Sequence, residues 1–330
     1  MTVARALLLV RAMHRTAVLS LLLASLSACN DSSDPADDDD AADAATDDAA
    51  PGPDAGPPAD ANPDPEFPAA RGSVLLRESR FGSYDAYGYA SAELHATDDH
   101  ALHREIDAAG ACRLLGFEFG FCDPACTDGL CNSDDECVPW NSFESAGDIA
   151  ITGGTAPFDL IYTDGWYYTD PPGLPGDLFD EGDSLRARAD GAEVPSFDLT
   201  IGAVTSLDLD LDGADNDELR IVDGADATVT WSSPQANARV CLTLRSPNLG
   251  HGMPYTRILE CDAPDTGSLT VPRALVEAFP LQPRLRICAG HDCPPSSLRR
   301  YRRAASPTPA GDIELVVGSE REFLLVHEAR

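Results

Sequence analysis

Hydrophobic and polar residues alternate along much of the chain beyond residue 71, in short runs separated by Gly, Pro, Ser and Asp. This period of two is typical of strands with one buried face, because successive side chains point to opposite faces of a sheet. The first two runs predict a hairpin, and Gly318-Ser319 predicts a turn between the last two. The predicted strands are residues 73–79, 86–97, 108–118, 147–152, 158–163, 184–189, 196–200, 225–232, 238–244, 257–261, 284–288, 312–317 and 322–327.

A helical pattern is found at residues 273–279, directly after Pro272. The chain is therefore predicted to be all-β, with one or two antiparallel β-sandwich domains. Trp231 lies on a strand with alternating neighbours, and this region of the chain resembles Ig-like or fibronectin-like sandwich domains. It departs from true Ig domains because Trp231 precedes both Cys241 and Cys261 instead of lying between two cysteines.

Residues 16–29, TAVLSLLLASLSAC, form an apolar run that follows three arginines and ends in small residues. This order is that of an export signal, and the run is too short for a permanent membrane-spanning helix. Its last four residues, Leu-Ser-Ala-Cys, resemble the lipobox of bacterial lipoproteins. The resemblance implies that residues 1–28 are a signal peptide and that Cys29 carries a diacylglycerol and becomes the mature amino terminus.

The residue after the lipidated cysteine bears on which membrane holds the protein. This residue is Asn30. An Asp at this position would resemble an inner-membrane retention signal, so its absence predicts an outer-membrane location. The periplasmic and the surface face both remain open. The start of the chain has two alternatives, Met1 and Met13, because Met13 begins a complete compact signal of its own.

Residues 29–70 are predicted to be a disordered linker rich in Asp, Pro and Ala, since they hold too little apolar surface to offset the entropy of ordering. Within them, residues 30–66 contain 13 carboxylates and no basic side chain. The whole chain has a formal net charge of −33, and its basic residues are all Arg. This charge argues against nucleic acid as a partner and against electrostatic binding to anionic lipid.

Nine cysteines follow Cys29, and in an exported protein they predict disulfides, with at least one thiol left over. Cys241 and Cys261 lie on successive predicted strands and form one candidate pair. Cys288 and Cys293 enclose a short loop and form another. On this pairing Cys112 is the unpaired cysteine.

The densest group of cysteines is CDPACTDGLCNSDDEC, residues 122–137. It resembles the opening of small EGF-like disulfide modules, and the crossed pattern of those modules implies the pairs Cys122–Cys131 and Cys126–Cys137. The residues themselves leave three connectivities open. A zinc site is the alternative, but the missing C-x2-C pairs and an oxidising compartment favour disulfides.

Two further groups of residues are candidate metal ligands. His95, His100, His103 and Glu105 offer enough nitrogen and oxygen for zinc or copper, although scattered surface histidines are the favoured explanation. The stretch 206–219 fails as an EF-hand, because its twelfth position falls on Leu219 instead of a carboxylate. A looser surface Ca²⁺ site remains as a hypothesis, with the carboxylates of Asp212, Asp215 and Asp217.

Two surface features are candidate contacts for partners. Trp166, Tyr167 and Tyr168 lie in a segment rich in Pro and Gly; packing over the open end of a sandwich core is the favoured interpretation, and an exposed binding loop is the alternative. The arginines at 299, 300, 302 and 303 around Tyr301 form a basic cluster, interpreted as a solvated loop with local ion pairs. The alternative roles of this cluster are binding lipopolysaccharide phosphates and docking on the acidic linker.

The chain is similar to uncharacterised lipoproteins of GC-rich Gram-negative bacteria, through its lipobox, acidic linker, FCDPAC module and the tail ECDAPDTGSLTVP. The expected function is that of a membrane-anchored envelope or cell-surface protein that binds envelope proteins or polysaccharide, or has a structural role, without catalysis or a cofactor. The alternative is a metal-dependent or hydrolytic enzyme on a sandwich scaffold; HExxH, GxSxG and P-loop motifs are absent. The segments are 1–28 signal, 29–70 linker, 71–118 hairpin region, 119–143 cysteine-rich module, 144–205 first sandwich segment and 206–330 second, Ig-like sandwich segment.

Overall fold

The computed structural model of the chain describes residues 65, 67, 72–82, 84–95, 103–118, 120–140, 142–209, 211, 218–247, 255–282, 295–309 and 311–330. Strands dominate these residues, and the one helix among them, α1, spans Arg273–Ala278 directly after Pro272, as predicted. Within the ranges just given, no helix has the length and apolar character needed to cross a membrane.

Nine strands form one long sheet. Its spatial order is β2-β1-β18-β17-β14-β15-β4-β3, and β12 lies beside the end of β18. The strands are β1 (Gly72–Phe81), β2 (Tyr87–Leu94), β3 (Arg104–Ala109), β4 (Cys112–Gly116), β12 (Glu218–Val222), β14 (Arg239–Arg245), β15 (Arg257–Pro264), β17 (Ser296–Thr308) and β18 (Gly311–Glu328). Neighbours are antiparallel except at β18, where β1 and β12 both pair in parallel.

Strand β18 is 18 residues long and runs through both halves of the molecule. One edge pairs with β17; the other pairs first with β1 and then with β12. The predicted turn at Gly318-Ser319 is therefore wrong, because the chain stays extended there. A Cβ atom at residue 318 would lie 3.0 Å from both Cδ of Arg299 and the carbonyl oxygen of Arg300, so glycine is needed for close approach of β17 instead of for a turn.

The predicted strand 108–118 is also incorrect, because the chain reverses within it. Gly110 has a φ of +60°, a conformation that glycine adopts without steric cost, and the turn there separates β3 from β4. The predicted hairpin of the first two strands is confirmed, since β1 and β2 pair antiparallel over residues 72–79 and 87–94.

A second, antiparallel sheet has five strands in the order β11-β10-β7-β8-β9. They are β7 (Ile149–Thr152), β8 (Phe158–Thr163), β9 (Trp166–Asp170), β10 (Ser184–Ala189) and β11 (Phe197–Gly202). Two small two-stranded antiparallel sheets complete the strands of the described residues. One is the hairpin of β5 (Gly129–Cys131) with β6 (Cys137–Pro139), and the other pairs β13 (Ala227–Thr230) with β16 (Ser268–Val271), which are distant in sequence.

Two hydrophobic cores lie side by side on the inner face of the long sheet. In the first, the five-stranded sheet packs on β1, β2 and the beginning of β18, with Leu160 and Leu315 fully buried. In the second, α1 and the two-stranded β13–β16 sheet pack on β14, β15 and the end of β18, with Val276 and Phe323 fully buried. The fold is thus an all-β sandwich, as predicted, and all described residues belong to one compact unit.

Three disulfides join described residues: Cys122–Cys131, Cys126–Cys137 and Cys112–Cys261. The first two confirm the crossed pairing that the EGF-like resemblance implies. The predicted pair Cys241–Cys261 is wrong, and so is the prediction that Cys112 is unpaired; among the described cysteines, Cys241 is the free thiol.

The register of three neighbouring strands explains the third disulfide. Cys261 lies directly opposite Leu242 on one side and Cys112 on the other, and all three side chains point into the second core. Cys241 lies one position earlier than Leu242 and therefore points to the opposite face of the sheet.

Several predictions lie outside the described residues. They are the signal peptide 1–28, the lipidated Cys29, the linker 29–70 apart from residues 65 and 67, the ligand His100, the calcium candidates Asp212, Asp215 and Asp217, the strand 284–288 and the pair Cys288–Cys293.

Candidate functional site

The predicted binding residues lie on edge strand β9 instead of in a loop. Strand β8 turns into β9 through Asp164 and Gly165, whose φ angles of 52° and 87° are those of a two-residue hairpin turn. Because side chains alternate along a strand, Trp166 and Tyr168 point to solvent while Tyr167 points to the first core. The three aromatic residues therefore have two different roles.

Tyr167 is a structural residue. Its hydroxyl accepts a hydrogen bond from the backbone N–H of Ala146 at 2.8 Å and donates one to the carbonyl of Gly147 at 3.1 Å. Burial raises its pKa, partly offset by the hydrogen bond from Ala146. For this residue, the packing interpretation of the aromatic segment is correct.

Trp166 and Tyr168 are 55% and 58% exposed, a large fraction for two neighbouring aromatic side chains on one face of a strand. Trp166 is held on one side by Phe143, whose ring centroid lies 4.8 Å away. The exposed edges of these rings leave apolar surface available to a partner.

Beside these rings, β9 and β2 enclose a groove of about 340 Å³ between the outer strands of the two sheets. We call it the edge groove and define it by Tyr89, Ser91, Trp166, Tyr168 and Leu174. Tyr89 adds a third partly exposed ring, which stacks under the guanidinium of Arg77 at 4.5 Å. The edge groove thus combines aromatic faces with the polar side chain of Ser91.

A second concavity, of about 350 Å³, lies on the outer face of the long sheet. We call it the arginine cavity. It is lined by five arginines and four carboxylates, namely Arg77, Arg113, Arg245, Arg299, Arg303, Glu260, Asp262, Glu314 and Glu320, together with Cys241, Tyr301 and Phe67. Sequence reasoning missed this site, although a signal for it was present in charges that recur on one face of β15, β17 and β18, such as Glu260 and Asp262.

Cys241 and Tyr301 are neutral groups within this charged cavity. Burial raises the pKa of the Cys241 thiol to about 11, against the opposing charge of Arg299. Burial and the carboxylate of Asp262, to which the Tyr301 hydroxyl donates a hydrogen bond, raise the pKa of Tyr301. Neither group is thereby activated as a nucleophile at neutral pH.

The predicted histidine site is not assembled from its described members. His95 follows β2 and contacts the ring of Phe143 at 5.1 Å, whereas His103 and Glu105 lie at the start of β3. Strands β2 and β3 are the two ends of the sheet order, which separates these residues. His103 Nε2 instead lies 2.8 Å from the carbonyl oxygen of Tyr255, and burial lowers the pKa of His103.

Among the described residues, one group of three metal-ligating side chains clusters within 4.8 Å: Cys122, Cys126 and Cys131. All three sulfurs take part in disulfides, so they do not present the thiolates that a zinc site requires.

Comparison with known proteins provides no functional assignment. No protein-family model and no curated protein matches the chain. Among solved structures, the chain is similar to the FN1-FN3 domains of chicken CNTN1, with 11% identity and a TM-score of 0.15. The match covers 66% of this chain and 64% of that one. At this TM-score the likeness carries no argument about fold or function.

Proposed function

We propose that the protein is a lipid-anchored protein of the bacterial cell envelope that binds polysaccharide through the edge groove. The signal-like run at residues 16–29 and the lipobox-like ending at Cys29 support export and lipidation. The disulfides Cys112–Cys261, Cys122–Cys131 and Cys126–Cys137 are consistent with an oxidising compartment. The proposed role is binding, without a catalytic step.

The exposure of Trp166 and Tyr168 beside the groove carries the binding proposal. Both rings are more than half exposed although they are among the largest apolar side chains of the molecule. Aromatic rings present an apolar face with a polar edge, which suits the alternating C–H faces and hydroxyl groups of sugars. Their hairpin is short and Trp166 is held by Phe143, so little side-chain entropy is lost on binding.

Retention on immobilised polysaccharide tests the binding site. The purified protein is passed over chitin, cellulose and peptidoglycan, and we expect at least one of them to retain it. The double variant Trp166→Ala/Tyr168→Ala should then elute unretarded. Tyr84→Ala is the matched control, because Tyr84 is 70% exposed and is not a lining residue of the groove.

Two results would contradict this proposal. One is that none of the three polysaccharides retains the wild-type protein. The other is that the double variant binds as the wild type does while its thermal unfolding shows that it is folded.

The lipid anchor has a separate test in Cys29→Ser. We expect this variant to remain an unprocessed precursor that incorporates no labelled fatty acid, while the wild type is processed and sediments with outer membranes. An anchor of this kind carries at least two acyl chains, which is enough for stable attachment. Normal maturation of Cys29→Ser would refute lipidation without affecting the polysaccharide proposal.

A further inference from the structure

The arginine cavity holds more positive charge than its own carboxylates neutralise at close range. Arg113 donates two hydrogen bonds to one carboxylate oxygen of Glu260, at 3.0 and 2.8 Å. Arg77 pairs with Glu320, and Arg303 lies 3.3 Å from Glu314. The remaining carboxylate, Asp262, accepts hydrogen bonds from Arg239 on β14 and from the Tyr301 hydroxyl.

Arg299 is different from these paired arginines. Within the region of the chain that the structure describes, its guanidinium makes no hydrogen bond to a side chain or carbonyl and no ion pair within 4 Å, and its Nε is buried without a partner. It lies between Cys241 on β14 and Glu320 on β18, and it contacts the ring of Tyr301 with its guanidinium 5.6 Å from the centroid. An unpaired buried donor costs free energy, and an anion in the cavity would remove that cost.

The sheet is shaped to admit this side chain. Gly318, directly opposite Tyr301, has no side chain, and the aliphatic stem of Arg299 occupies that space. A methyl group at residue 318 would lie 3.0 Å from Cδ and 3.1 Å from Cγ of Arg299. The guanidinium is thereby held at a defined place in the cavity, which lowers the entropy lost when it binds a ligand.

The charges near Arg299 select among anions. Glu260 and Glu320 act on Arg299 electrostatically although neither reaches it within hydrogen-bond distance. Glu320 is ionised, since Arg77 and Arg299 outweigh the effect of burial and lower its pKa. A doubly charged phosphoryl group would be both attracted by the arginines and repelled by these carboxylates about twice as strongly as a singly charged carboxylate, but it would lose far more hydration on entering the cavity, which favours the carboxylate.

We propose that the arginine cavity is a binding site for a small organic carboxylate, whose two oxygens pair with the guanidinium of Arg299. A planar guanidinium matches a carboxylate in a bidentate arrangement. The cavity volume of about 350 Å³ lies within the range of small-molecule sites, roughly 300–1,000 Å³. This site lies on the outer face of the sheet, and the inference does not depend on the edge groove.

Three hexose probes of equal ring size test the charge requirement: D-glucose, D-glucuronate and D-glucose 6-phosphate. Isothermal titration of the purified full chain should show binding of D-glucuronate, weaker binding of the phosphate and none of glucose. Arg299→Gln should weaken D-glucuronate at least about tenfold, because a charge-assisted ion pair is lost. Arg299→Lys should keep part of the affinity. Arg188→Gln, which removes an exposed arginine of the other sheet, should change nothing.

Cys241 provides a second readout in the unaltered protein, since it lies directly opposite Arg299. D-glucuronate should slow alkylation of the Cys241 peptide, as measured by mass spectrometry, and D-glucose should not. This measurement remains decisive if Arg299→Gln fails to fold. Equal binding of all three probes, tighter binding of the phosphate, an unchanged affinity in folded Arg299→Gln, or unchanged Cys241 alkylation with D-glucuronate would each overturn the proposal.

Discussion

Replacing Arg300 by Met removes the centre of a buried polar network that lies between the two hydrophobic cores. The Arg300 and Asp265 side chains are both 0% exposed, and Nε of Arg300 lies 2.6 Å from Oδ2 of Asp265. The guanidinium also donates to Thr205 Oγ1 at 2.7 Å and to the Ser233 carbonyl at 2.7 Å. These acceptors belong to the segments that connect the first core to the second.

The expected loss of unfolding free energy follows from the charge of Asp265, which remains buried after the substitution. Asp265 keeps the hydrogen bonds from Trp231 Nε1, at 2.6 Å, and from the Gln235 N–H, at 2.9 Å, but its charge is no longer compensated. Breaking a buried pair by removing one partner costs about 3–5 kcal/mol of unfolding free energy. With a denaturant slope of about 3 kcal/mol per molar urea, the unfolding midpoint falls by about 1–1.7 M.

Equilibrium urea unfolding of Arg300→Met measures this loss, with Arg188→Gln as the control. Arg188 pairs with Asp190 on the surface, so its substitution should change stability by less than about 0.5 kcal/mol. Adding Asp265→Asn to Arg300→Met should cost less than the sum of the two single changes, because the uncompensated charge is then gone. A loss below about 1 kcal/mol for Arg300→Met would refute the reasoning.

Three further predictions concern the cysteines and the charged face of the sheet. Cys112→Ala/Cys261→Ala should lower the unfolding free energy by about 5 kcal/mol, since the disulfide spans 149 positions, and a loss under about 1 kcal/mol in chemical denaturation would contradict this. Alkylation of Cys241 should be slow at neutral pH and accelerate toward its pKa of about 11; equal rates in folded and unfolded protein at neutral pH would argue against burial. The pKa of Glu320 is lowered because Arg77 and Arg299 outweigh burial. The stability that this carboxylate contributes to the fold is therefore complete above its unfolded pKa of 4.5, and it is lost as the pH falls through the lower pKa of the folded state. In Glu320→Gln, the free energy of unfolding should therefore depend less steeply on pH below about 4.5. An unchanged slope would exclude the effect.

The cysteine pairing depends on strand register, which the hydrophobic pattern does not predict. The alternation at residues 238–244 and 257–261 correctly predicts two strands, and these strands are neighbours. A period of two predicts a strand but not the register between neighbouring strands. A shift of one position in that register decides whether two sulfurs lie on the same face. Cys241 and Cys261 lie on opposite faces for this reason, and Cys112 comes within reach only through a pairing between distant regions of the chain.

The basic cluster at 299–303 illustrates a second limit. The run Arg-Arg-Tyr-Arg-Arg lacks the apolar alternation of a strand and predicts a solvated loop, yet it lies within β17. Both faces of this strand meet polar partners: Arg300 binds Asp265 on the inner face, and Arg303 pairs with Glu314 on the outer face. Hydrophobicity patterns do not detect a strand whose buried positions are satisfied by charge.

Of the two candidate sites, one is identifiable from local sequence and the other is not. The aromatic segment 166–168 is identifiable from residue type alone, and the alternation of its strand then separates two exposed rings from the structural Tyr167. The arginine cavity is not predicted by the sequence because its residues come from six strands of the long sheet. Only the sheet order, which local sequence does not encode, brings them together.

The position of β18 in the chain has a consequence for biogenesis. This strand follows all the others in sequence, yet it is the central partner of β1, so that contacts such as Arg77 with Glu320 join positions 243 apart. Topologies dominated by such distant pairings fold slowly, since the loop must close before the pairing is gained. For a chain that crosses a membrane before it folds, as proposed, β1 has no parallel partner until residues 313–322 have emerged. In such an exported chain, the long sheet is completed only after nearly all of its residues have crossed the membrane.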